Sequence, residues 1–162
     1  MKPLLHLLVA VISTAPGFRQ LPSDDPSVIL FEHEACGKGL ILGFRMAEWR
    51  YRIRIDCLLK HSLPSGATEQ VVEFLKGVNR KLMKGCVEYV EEEESIMYSE
   101  TQYMDPSMME PSHLGPMMIE VIDCTLEYDG FIDNVLKDEE EASDIVSERL
   151  NAKNHLCGIS TN

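Results

Sequence analysis

The chain has 162 residues, a size at which one domain is the default and roughly 70% of the unfolded surface can be buried. With 44% hydrophobic and 26% charged residues, and no apolar run near the ~20 residues of a membrane helix, wholesale disorder, a fibrous chain and a helical membrane span are excluded. Net charge is −12 and unevenly divided: residues 1–86 hold 12 basic and 8 acidic side chains, residues 87–162 hold 3 and 19, a balance that repels a nucleic-acid backbone.

Lys2 precedes an apolar stretch from Leu4 to Ile12, followed by Ser13, Thr14, Ala15 and Pro16. The stretch has the outline of a secretory signal, but His6 interrupts it and a cut after Ala15 would place Pro16 just beyond. A buried or amphipathic helix ended by Pro16-Gly17 is the preferred reading. No Asn-x-Ser/Thr sequon occurs, which agrees with that preference. Phe18 to Pro26, with Pro22, Ser23, Asp24, Asp25 and Pro26, reads as a loop.

Val28 to Glu34 reads as a strand, Cys36-Gly37-Lys38-Gly39 as a glycine turn, and Leu40 to Phe44 as a second strand. Trp49, Tyr51, Ile53, Ile55 and Cys57 alternate with Arg50, Arg52, Arg54 and Asp56. Strict period two means one buried and one wet face. His61 to Gly66 is a loop. A helix is predicted from an N-cap at Thr68, with Val71, Phe74, Leu75, Val78 and Leu82 as its apolar stripe and Gly85 as its C′ residue. Cys86 to Tyr103 reads as two strands around the acidic turn Glu91 to Glu94, and Asp105 to Pro116 as a connector. Leu114, Met117, Met118, Val121, Ile122, Thr125, Tyr128, Ile132 and Val135 then keep helical spacing. Asp138 to Leu150 is acidic and reads as a short helix or frayed tail.

Strands and helices are segregated, without βαβ alternation. The fold class is therefore α+β, an antiparallel sheet packed by helices. The expected division is an apolar segment and loop at 1–26, an α+β domain at 27–137 and an acidic tail at 138–162.

Between Ser27 and Leu136 this order, with these residues, resembles the YbjN-like family, a relative of the type III secretion chaperones. The resemblance is carried by Trp49-Arg50-Tyr51-Arg52-Ile53-Arg54-Ile55, by Leu63-Pro64, by Phe74 to Leu82 with Gly85, and by the long helix through Leu126, Asp129 and Ile132. It implies a type III secretion chaperone-like α+β fold that binds protein partners, with no catalytic residues to carry over.

Candidate chemistry is sparse. Gly37-Lys38-Gly39 lacks the Ser/Thr and the helix of a phosphate loop. His6, His33, His61, His113 and His155 are scattered, and no HExxH or Gly-x-Ser-x-Gly occurs. A His33-Glu34 pair would need further ligands brought to it by the fold. Cys36, Cys57, Cys86, Cys124 and Cys157 show no CxxC, and read as free, mostly buried thiols of a reducing compartment, Cys57 on the core face of its strand. No catalytic residue, metal or cofactor is expected.

Two surfaces remain as partner contacts. Arg50, Arg52 and Arg54 form a one-sided basic ladder that suits an acidic partner segment or RNA, although pairing with Glu88 and Glu92 of the hairpin is the simpler account, at roughly 0.2–1 kcal/mol per cross-strand pair. Met104, Met108 and Met109 in the connector suit an adaptable apolar contact, whereas Met117 and Met118 belong to the helix stripe. The sequence thus predicts a non-enzymatic, cytoplasmic protein-binding module, chaperone-like or a regulatory adaptor, with no nucleic acid and with homodimerisation open. The competing reading is a secreted or plastid-targeted protein that loses its first sixteen residues and binds an unknown ligand.

Overall fold

The computed structural model describes residues 2–47, 52–103 and 111–137. Helix α1 (Lys2–Thr14) is followed by strands β1 (Phe18–Leu21), β2 (Val28–Ala35), β3 (Lys38–Ala47) and β4 (Arg52–Lys60). Helix α2 (Thr68–Asn79), strands β5 (Cys86–Val90) and β6 (Ser95–Tyr103) and helix α3 (Pro111–Val135) complete the order. The strands form one antiparallel sheet in the order β1-β2-β3-β4-β6-β5. The class is α+β, an antiparallel sheet packed by helices.

The core follows from strand parity. Ile53, Ile55, Cys57 and Leu59 of β4 are buried, and the register sets Leu42 beside Cys57, Phe44 beside Ile55 and Tyr98 beside Cys57. The same face carries Ile29 and Phe31 of β2 and Val87 of β5. Against it lie Leu8 and Ile12 of α1, Val71, Leu75 and Val78 of α2, and the α3 stripe from Leu114 through Ile132. Met117 and Met118 are buried on that stripe, as its spacing predicts.

Several local expectations are corrected. Phe18 to Leu21 is strand β1 rather than loop, because the turn residues begin only at Pro22 and Phe18 stacks on His33 with centroids 4.1 Å apart. With α1 in the core and β1 in the sheet, packing extends N-terminal of Ser27. Helix α2 has Ala67, not Thr68, at its N-cap, with no side-chain cap bond. It ends at Asn79, whose amide donates to the Val87 carbonyl (2.7 Å) and accepts from the Val87 N–H (2.9 Å). That pair mimics a strand neighbour and ties α2 to edge strand β5. Gly85 has φ +77 but belongs to the entry of β5, not to the helix end. Helix α3 starts at Pro111, where a missing N–H is harmless, and tolerates Pro116 one turn later. The β2–β3 hairpin turns on Cys36 (φ 53) and Gly37 (φ 73), with Gly39 already in the strand. Two consecutive positive φ values match the strand twist in a two-residue turn. A 3₁₀ turn, Glu91–Glu93, and Glu94 at φ 45 close the β5–β6 hairpin.

Candidate functional site

The second face of the sheet is where sequence and structure leave side chains in water. Among the described residues the helices cover only the Ile53–Leu59 face. Opposite it, Ile41, Leu58 and Met97 stand in register across β3, β4 and β6. Ile41 is 39% exposed, and Leu58 and Met97 are half-buried. Leu30 lies two strand positions away, opposite Gly43. A Cβ at Gly43 would touch the Leu30 side chain at 3.4 Å, and Gly43 is buried, so Leu30 closes over the glycine beside the apolar row. Glu32, paired with Arg19, and Glu88 stand at the two ends of that row.

Four strand positions away, Arg45 and Arg54 are directly opposite each other. Arg54 donates to Asp56 (2.6 Å) and to Ser99 (3.0 Å), and Ser99 donates to the same Asp56 oxygen (2.6 Å). Arg52 holds its guanidinium 4.4 Å over the Tyr103 ring, and its buried Nε has no hydrogen-bond partner. The expected mates Glu88 and Glu92 are not the ladder's partners, because register places Glu88 beside Met97, two rows from Arg54, and Glu92 in the 3₁₀ turn. Cys86 stands beside Ser99; partial desolvation and Glu88 push its thiol above the ordinary range, against the pull of Arg54. Arg50, Met104, Met108 and Met109 lie outside the described residues.

Two polar clusters sit on the helix-covered side. At the end of the sheet near the β2–β3 turn, the buried Asp129 of α3 accepts from His61 Nδ1 (2.6 Å) and pairs with Lys38. His61 Nε2 faces Asp133 at 3.7 Å. The Asp129 carboxylate holds the Lys38 ammonium above its usual range, against a smaller opposing effect of burial. The cluster clasps β3 and the β4–α2 connection to α3. Farther along, Lys84 bridges buried Glu100 (3.3 Å) and Glu120 of α3 (2.7 Å). Burial opposes the Lys84 charge, but the two carboxylates outweigh it and raise its pKa. Burial also pushes the Tyr98 hydroxyl far up and the Cys57 thiol to about 11. These groups are fixed structural partners.

Of the remaining sequence candidates, His33 stacks on Phe18 and meets the Gly17 carbonyl at 3.1 Å. The fold does not bring ligands to a His33-Glu34 pair: among the described residues no three His, Cys, Asp or Glu side chains are placed to hold a metal. Cys36 and Cys86 are exposed free thiols, while Cys57, as expected, and Cys124 are buried, so among the described cysteines half rather than most are buried. No described helix is long and apolar enough to cross a membrane.

Sequence reasoning missed the apolar row and the Asp129 clasp. Asp129 did carry a signal, as a carboxylate on the apolar stripe between Tyr128 and Ile132. The row carried none, because it exists only through cross-strand register. No family model matches the chain, and neither the curated proteins nor the solved structures contain a match.

Proposed function

We propose that the chain is a non-enzymatic protein-binding module, chaperone-like or a regulatory adaptor, that holds a segment of a partner protein on the open face of its sheet. The observation that carries this reading is the apolar row Ile41–Leu58–Met97, in register across three strands on the face away from the core, with Ile41 exposed and Leu58 and Met97 half-buried. Burying such a row releases roughly 25 cal/mol per Å² of apolar surface. The resemblance to the YbjN-like family points the same way. A reducing, cytoplasmic setting fits the two exposed thiols, Cys36 and Cys86.

The test begins with affinity capture from native lysate and identification of the partner by mass spectrometry. The purified partner is then titrated against Ile41→Asp on the open face and Ile119→Asp on the outer side of α3, where Ile119 is 60% exposed. Ile41→Asp is expected to weaken binding at least tenfold, about 1.4 kcal/mol, with an unchanged melting curve, and Ile119→Asp to leave binding intact. A partner indifferent to Ile41→Asp overturns the reading.

A further inference from the structure

The open face is not uniform, and its polarity names the chemistry of what it holds. This step rests on the docking reading above. We infer that the occupant is a peptide segment of a partner protein carrying acidic side chains at one end and apolar side chains at the other. Its acidic end sits over Arg45 and Arg54 and its apolar end over Ile41 and Leu58.

Arg45 and Arg54 are direct cross-strand neighbours, an arrangement that is unfavourable for like charges left alone. Arg52 is two positions along the same strand and faces the same way. Among the described residues, Asp56 is the one carboxylate in an ion pair with any of the three, and it is bound to Arg54. Asp25 feels Arg45 only at longer range. Among the described residues, three arginines and one paired carboxylate thus leave a surplus of positive charge at one end of this face. A ligand carboxylate there would relieve the Arg45–Arg54 repulsion and gain charge-assisted hydrogen bonds.

The opposite end excludes charge of the same sign. At one end of the apolar row Glu88 repels a ligand negative along its whole length, while at the other Glu32 is already paired with Arg19. That argues against RNA, whose phosphates repeat without interruption. It also fixes the direction in which the segment lies. The two ends are four strand positions apart, about 13 Å. An extended segment spans this in about four residues and a helix in about nine.

The probe is a short fluorescent peptide with two glutamates followed about four residues later by two leucines, read by anisotropy against the full chain. Companion peptides replace the glutamates with lysine or the leucines with serine, and a uridine oligonucleotide serves as competitor. The parent peptide is expected to bind, and each companion to bind at least tenfold more weakly. Arg45→Glu and Ile41→Asp are each expected to cost the parent peptide at least fivefold. No binding of the parent at about 1 mM, equal binding of the serine companion, or displacement by the oligonucleotide at equal concentration overturns the inference. The captured natural partner separates the two levels. If it loses tenfold with Ile41→Asp but is indifferent to Arg45→Glu, the docking face stands and the acidic segment falls. If it ignores Ile41→Asp as well, the docking reading itself falls.

Discussion

Gly85→Ala is expected to be among the most damaging single-atom-scale changes in the chain. Gly85 sits at φ +77, a region in which an L side chain is strained. A Cβ there would lie 2.2 Å from Tyr98 Oη and 2.5 Å from Cζ. Tyr98 cannot retreat: it is 2% exposed, stacks on Tyr128 at 5.9 Å between centroids, and donates its hydroxyl toward the Lys84 carbonyl at 3.3 Å. Backbone strain and core overpacking together place the loss at about 3–5 kcal/mol. At this chain length that is a fall of roughly 6–20 °C in melting temperature. Gly77→Ala is the matched control, because its Cβ would meet nothing within 4 Å in helix α2. It should raise stability by about 0.5–1 kcal/mol. A melting curve for Gly85→Ala within a degree or two of wild type would mean that the β5 entry does not approach Tyr98 as described.

Ile53→Asp is expected to cost a similar amount for a different reason. Ile53 is 1% exposed and lies between Met46 and Gln102 in the register of β4. An aspartate there must either stay neutral or bury an unpaired charge, at a cost of several kcal/mol. Arg52→Ala, one residue away, loses only the stacking on Tyr103, about 0.5–1 kcal/mol. Comparable melting losses for the two variants would mean that β4 is shifted by one residue, since a one-residue slip exchanges the two faces.

How much of this could be read from the sequence differs by physical cause. The face of β4 was legible because alternation is local: Ile53, Ile55 and Cys57 are buried and Arg52 and Arg54 are not. The α3 stripe was legible for the same reason. Strand β1 was not, because four residues carry too little periodicity and the prolines that follow dominate the window. The start of α3 was missed because Pro111 and Pro116 read as breakers, whereas Pro111 takes the first helical position, where proline is favoured. The candidate site divided along the same line. Arg52 and Arg54 were visible as a one-sided ladder. Ile41, Leu58 and Met97 were hidden in runs such as Leu40–Phe44 and Cys57–Leu59, and only register assembles them into a row. The His61–Asp129 contact joins residues 68 positions apart, beyond any local pattern.

The measurement closest to the central claim is a methyl NMR titration of the full chain, labelled at Ile, Leu and Met, with the captured partner. The open-face account expects the largest shift changes at Ile41, Leu58, Leu30 and Met97, with Ile119 on the outer side of α3 unmoved. Changes centred on Ile119 and Met83, with the four sheet-face residues silent, would contradict it.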